Sequence, residues 1–502
     1  MLLFTTSLPG PGGGRAGARR GRLALPLLAA GLLAACAAGP DYVRPGLDVP
    51  ATYKEAGPWK AAEPQQAASD LPWWKPYGDP ALDALMDDAG RANQDLRVAE
   101  AQYRGALAAT AQARSALWPQ VGAQASGERA RVLGPRIEVV DSFAAGLTAS
   151  WEPDLWGAVR RNIEAGSATA EASADDLAAM RLSIQTQLAQ DYLQLRITDR
   201  LRELYAATTA AYTRALALTT AQNAAGIALK SDVALARSQL ATAQAQAVDL
   251  DATRAQLEHA IALLTGRAPA QFSLAPAEAF DAPLPAAPTG VPSELLEHRP
   301  DIAAAERRAA AANAQIGVAR SAYFPSLTLG ASGGGTAATL GALFDTPSRV
   351  WSLGATLAGT LFDGGLRQAR DRQAVAAWDA AVASYKQTVL AGFVQVEDNL
   401  AALRILQEEA EFQAEAVRAS QLAESLALTQ YRAGTATYLA VVTAQTLSLS
   451  NQRTAVQLRG RQLAASVALI AATGGGWSAS LQGAAAAAAA PSAAADSRGS
   501  AS

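Results

Sequence analysis

The chain has 502 residues, half of them apolar and 17% charged, and 42 basic against 45 acidic residues give a net charge of −3. That balance leaves no polycationic surface for nucleic acid. A single cysteine excludes an internal disulfide, a thiolate zinc cluster and a CxxC redox site, and two histidines, His259 and His298, leave little for a metal centre. The composition therefore implies no cofactor.

In chain order, Arg15, Arg19, Arg20 and Arg22 precede a thirteen-residue apolar run, LALPLLAAGLLAA, from Leu23 to Ala35. A basic stretch followed by an apolar run too short to span a bilayer is the pattern of a secretory signal. The run ends Leu33, Ala34, Ala35, Cys36, which resembles the bacterial lipobox. Cys36 is expected to receive diacylglycerol and to become the first residue after cleavage, and Ala37 at the next position implies export to the outer membrane. Cleavage before Cys36 would remove four arginines and no acid, leaving 38 basic and 45 acidic residues and a charge of −7.

The remainder is a duplication. ARSALWPQVGAQASG (113 to 127) faces ARSAYFPSLTLGASG (319 to 333), with Pro119 and Pro325 at an offset of 206. Asp154 and Asp363 follow at 209, Gly226 and Gly434 at 208, and the units close in TGR at 265 to 267 and TGG at 473 to 475. Each unit reads helix, strand, strand, long helix, turn, helix. Val375, Trp378, Val382, Tyr385, Val389, Phe393, Val396, Leu400 and Leu403 recur at a mean of 3.5 residues, and Leu177, Met180, Ile184, Leu188, Tyr192 and Leu195 at 3.6. These stretches predict helices from about Ala158 to Asn223 and Leu366 to Tyr431, each about 100 Å long at 1.5 Å per residue.

The predicted strands alternate. Ala145, Leu147, Ala149 and Trp151 are apolar between Gly146, Thr148, Ser150 and Glu152; Trp351, Leu353, Ala355, Leu357 and Leu361 alternate with Ser352, Gly354, Thr356 and Thr360. Their partners, Val121 to Gly127 and Leu327 to Gly333, alternate more weakly, with connections expected over 128 to 141 and 333 to 348. A period of two fits a transmembrane barrel, and equally an antiparallel sheet with one solvated face. Four strands cannot close a barrel, so a membrane-spanning reading requires an oligomer of unspecified number.

Three further motifs carry a resemblance: GPDYVRP at 39 to 45, WWKPYGDPALDALMDDA at 73 to 89, and VPSELLEHRPDIAAAERRAAAANAQIGVARSAYFPSLTL at 291 to 329. With the lipobox and the duplicated units, the chain resembles the TolC-like outer-membrane factors, in particular the lipoprotein branch of multidrug efflux channels of OprM/NodT type. His298 stands where that family often carries arginine. The resemblance implies a mainly α protein with a transmembrane β-barrel: a homotrimer whose two repeats give two strands each, 12 in all, with a periplasmic tube of long coiled-coil helices. It implies an outer-membrane channel of a tripartite efflux system, working with a periplasmic adaptor (membrane fusion) protein and an inner-membrane RND-type pump, and performing no catalysis. The corresponding division is 1–35 signal peptide, 36–95 acylated periplasmic segment, 96–290 and 291–478 the two efflux repeats, and 479–502 an Ala/Ser-rich disordered tail.

By the same resemblance, the helix-pair tips, Ala225, Gly226, Ile227 and Ala433, Gly434, Thr435, dock the adaptor and close the entrance. Glycine suits a tight reversal between helices, and its recurrence at matched positions favours that role over a plain helix end. Asp232 falls where TolC carries an acid that holds the closed entrance, and Tyr431 falls on its tyrosine partner. The family's arginine partner corresponds to Ala436, and two pore-narrowing aspartates to Ala440 and Thr443. These departures predict a weaker gate, a latch from the Tyr431 hydroxyl to the Asp232 carboxylate; helix capping by Asp232 is the alternative.

Trp118, Trp151, Trp156 and Trp351 bracket the strands as candidate interface girdles or packed core. Asp154 and Asp363 are expected to cap helices. Glu408, Glu409, Glu411 and Glu415 read as a solvated helix face, and the GGG runs lack the setting of a phosphate loop. A hydrolase reading lacks a GxSxG elbow or an HExxH helix. A type I secretion channel and a non-conducting coiled-coil scaffold lipoprotein remain as alternatives.

Overall fold

The computed structural model describes residues 38–55, 72–133, 137–277, 280–285 and 298–477. Cys36, the signal segment, the tail and part of the 291 to 329 motif lie outside the described residues. Within them the chain runs α1 (Pro80–Ala92), α2 (Gln94–Ser115), β1 (Gln120–Leu133), β2 (Ile137–Trp151), α3 (Ala158–Ala224), α4 (Lys230–Leu264), α5 (Pro300–Ser321), β3 (Ser326–Ala337), β4 (Arg349–Ala358), α6 (Leu366–Arg432) and α7 (Tyr438–Ala472). The duplication is visible in the lengths: α3 and α6 have 67 residues each, α4 and α7 have 35, and α2 and α5 have 22. No described helix is long and apolar enough to cross a membrane.

Two compact units emerge. One comprises the described residues of Met1–Arg44, Gly105–Ala170 and Arg307–Val382, and carries the sheet. Its four strands are antiparallel in the order β1-β2-β3-β4, leaving β1 and β4 as edges. Register sorts the side chains cleanly. Val121, Ala149, Ala331 and Leu353 stand opposite one another on one face, as do Ala123, Leu147, Gly333 and Trp351; Gly122, Thr148, Ser332 and Ser352 line the other, where the Ser332 and Ser352 hydroxyls lie 2.8 Å apart. Leu353 and Trp351 are about four-fifths exposed in the single chain.

The strands are longer in the first repeat than the alternation predicted. Residues 128 to 133 and 137 to 141 belong to the hairpin, not to a connection, because Arg129 and Asp141 face each other across it with an ion-pair distance of 3.5 Å. Charged residues read as a loop, yet a hairpin wetted on both faces accepts them. In the second repeat β3 reaches Ala337, four residues beyond the expected end, while β4 stops at Ala358, so Leu361 lies outside it and is fully exposed.

The other unit comprises the described residues of Pro45–Arg104, Glu171–Glu306 and Ala383–Ser502. Its main core joins Tyr77, Leu82, Leu188, Tyr192, Leu195, Ile261, Leu463 and Val467, from the 73 to 89 motif, α3, α4 and α7. Asp79 caps α1 by accepting the Ala81 N–H at 2.9 Å, and Pro80 occupies the first turn, where its missing N–H costs nothing. Arg299 explains the RPD triplet. Its guanidinium donates to Gln395 and to the carbonyl of Ala472, both at 2.9 Å, and forks onto Asp301, tying α5 to α6 and α7.

Candidate functional site: the helix-pair tips

The two tips are built by one backbone device. At the end of α3, Gly226 donates to the carbonyl of Asn223 and Ile227 to that of Gln222, with Gly226 at φ 77°. At the end of α6, Gly434 donates to Tyr431 and Thr435 to Gln430, with Gly434 at φ 74°. Both are Schellman ends, in which a left-handed residue lets two otherwise orphaned carbonyls find donors. Ala225, Gly226, Ile227 and Ala433, Gly434, Thr435 are all exposed.

Beyond the turns the tips differ. In the first, Asn223 Nδ2 donates to the carbonyl of Ala228 at 2.7 Å, and a carboxylate oxygen of Asp232 accepts the Leu229 N–H at 3.1 Å, one half of a capping box at the start of α4. In the second, the position matching Asn223 is Tyr431, and Lys230 is matched by Tyr438. These rings lie 5.3 Å apart and pack with Ala236 and Val441 in a small buried cluster. The Tyr431 hydroxyl donates to Thr219 Oγ1 at 3.5 Å, and Thr219 in turn donates to the Ala215 carbonyl at 2.9 Å.

The expected latch is not formed: Asp232 spends its carboxylate on its own helix end, and Tyr431 turns into the apolar cluster toward Thr219. The aromatic residue that periodicity did not single out, Tyr438, is 2% exposed. Its phenol is pushed up to about 12, first by burial and next by neighbouring Tyr431. A tyrosine at the first position of α7 was the available signal; the cluster it shares with α3 of the other repeat was not.

The remaining candidates resolve individually. Asp154 accepts the Val159 and Arg160 N–H groups and the Arg160 side chain; Asp363 does the same with Gly365 and Arg367, so both cap long helices. Arg367 and backbone donors hold the Asp363 carboxyl below its ordinary range. Trp156 is packed, stacked on Phe324 at 4.8 Å and donating to the Pro325 carbonyl, whereas Trp118 and Trp351 are exposed. Of the glutamates, Glu409 pairs with Arg461 and Glu415 with Arg418 near the surface. Among the described residues no group of histidine, cysteine or acidic side chains could hold a metal ion.

The profile of the family described as Outer membrane efflux protein matches residues 85–267 and 291–475. The chain belongs to this family. It is 33% identical over 464 residues to the pyoverdine export outer membrane protein OpmQ of Pseudomonas aeruginosa, covering 90% of this chain and 96% of that one. It is 33% identical over 468 residues to the solvent efflux pump outer membrane protein SrpC of Pseudomonas putida, covering 91% and 98%. Among solved structures it resembles the outer-membrane channel OprN, with a TM-score of 0.82 and 31% identity over 88% of this chain and all of the other. This outer membrane efflux protein is thus an efflux channel of the outer membrane extending into the periplasm, with the TolC-like combination of long helices and barrel strands. In a transmembrane barrel an apolar face meets lipid and a polar face lines the channel.

Proposed function

We propose that the chain is the outer-membrane channel of a tripartite efflux system, assembled as a homotrimer and gated at the two helix-pair tips, passing drugs or other toxic small molecules from a periplasmic adaptor and an inner-membrane RND-type pump. The carrying observation is the four-stranded sheet, apolar on one face and polar on the other, with β1 and β4 left as edges. An open edge in lipid leaves backbone groups unpaired at several kcal/mol each, which three copies closing β4 onto β1 would remove. The relatives' roles in pyoverdine export and solvent efflux support a small-molecule cargo.

Lipid attachment at Cys36 belongs to the same reading. What supports it is the seat of the chain two residues later: Ala38 donates to the Trp156 carbonyl at 3.0 Å, Asn313 to the Pro40 carbonyl at 3.0 Å, and buried Arg161 to Asp41 at 2.6 Å. Gly39 sits at φ 93° so close to Gly317 that a Cβ would fall 2.4 Å from its Cα. A segment fixed from Ala38 onward beside the strand-to-helix junction supports an anchor at the residues just before it. The domain division given by the sequence, from the 1–35 signal to the 479–502 tail, completes the reading.

The test is dye accumulation in cells lacking their own outer-membrane efflux channels but supplied with the cognate pump and adaptor. Expression of this chain should lower accumulation, whereas cells that export a secreted polypeptide without clearing dye would favour the type I secretion role.

A further inference from the structure

Thr219 is fully buried on α3, in the first repeat, and its hydroxyl proton is committed to the Ala215 carbonyl, leaving its lone pairs to accept. Two tyrosines of the second repeat meet it. Tyr431, at the end of α6, donates to it at 3.5 Å, and the Tyr438 hydroxyl, in the first turn of α7, faces it as well. Around them Ala236, Val441, Leu216, Leu235 and Leu428 exclude water. The matching positions of the other repeat are Ala427, Asn223 and Lys230, so the arrangement occurs once per chain.

We propose that Thr219 is a pin within one subunit, the positioning residue that holds the α6–α7 tip against α3 in the closed channel, and that opening requires both tyrosines to leave it. This rests on the tips being the gate. The pin replaces the Tyr431–Asp232 latch that the sequence implied, and it links the two repeats where that latch would have used a carboxylate already engaged in capping. The Tyr431 bond and the Tyr438 contact are neutral and shielded, so little of the pin's strength depends on ionic strength.

The experiment compares the full-length protein with Thr219→Val, which keeps the shape and removes the acceptor, Tyr438→Phe, which removes one hydroxyl, and Thr219→Ser, which restores the acceptor. Amide hydrogen exchange over residues 216–232 and 428–442 is read beside closed-state current in planar bilayers. Thr219→Val should exchange roughly fivefold faster at both tips, with exchange over α1 unchanged, and should pass more closed-state current. Thr219→Ser should restore both values, and Tyr438→Phe should fall between. Faster exchange without added current upholds the pin and overturns the tips as gate. Unchanged exchange in both Thr219→Val and Tyr438→Phe, or loosening by Thr219→Ser equal to that by Thr219→Val, overturns the pin.

Discussion

The two tips share a backbone and differ in what secures them. Both close through a left-handed glycine with the same pair of hydrogen bonds, 208 residues apart. The first then stitches itself with Asn223 and Asp232, polar side chains bonded within seven residues of the turn. The second has aromatic rings at the corresponding places and reaches across to Thr219, 212 residues from Tyr431. Duplication supplied one turn twice; divergence made one tip self-contained and the other dependent on its neighbour. In the proposed gate, such unequal tips would let one hold its fold while the other is released.

The largest effect should come from breaking the second tip at its centre. Val441 is fully buried, whereas its counterpart Val233 is only partly buried. Val441→Asp should cost several kcal/mol through an unpaired buried charge, and Val233→Asp far less; thermal unfolding of the two variants checks the difference. Next, Tyr438→Ala should cost about 3 kcal/mol by leaving a cavity, against about 0.5 kcal/mol or less for exposed Lys230→Ala. Limited proteolysis should then cut the second tip sooner than the first.

Alkali sharpens the contrast further. The Tyr438 phenol ionises at about 12 in the folded chain, against an ordinary 10, so its stabilisation is intact below pH 10 and is lost as pH rises toward 12. Negative potential from Tyr431, Tyr212 and Asp232 adds to the upward push that burial exerts on this phenol. Exchange at the second tip should accelerate across that range before the first tip responds, an effect smaller than deleting the ring.

What the tips share gives the next test. Gly226→Ala and Gly434→Ala should each cost about 1 kcal/mol for a left-handed backbone and no more, because nothing lies within 4 Å of either added Cβ. Gly474→Ala, whose Cβ would fall 1.8 Å from the His298 carbonyl oxygen, should cost visibly more by the same unfolding measurement. Smallest is Asp232→Ala, which removes a cap worth about 1 kcal/mol and should leave closed-state current near that of the parent chain.

The same contrast explains how much was legible beforehand. The helix limits of α3 and α6 were read to within a residue, since neither proline nor glycine clusters interrupt their periodicity and a glycine turn follows each. The backbone of both tips was legible for that reason. The strands were found, but their ends were not, because Arg129 and Asp141 look like loop residues until they are paired across a hairpin. The cross-repeat bond from Tyr431 to Thr219 was illegible: contacts between copies of a duplicated unit leave no periodic trace, and resemblance pointed instead to Asp232, whose carboxylate the capping geometry had already claimed.

Single-channel recording of the purified full-length protein in planar bilayers, paired with gel mobility before and after heating, tests the central claim most directly. Heat-sensitive trimers that give uniform conductance steps are the expected result. A monomer that passes no current would contradict it.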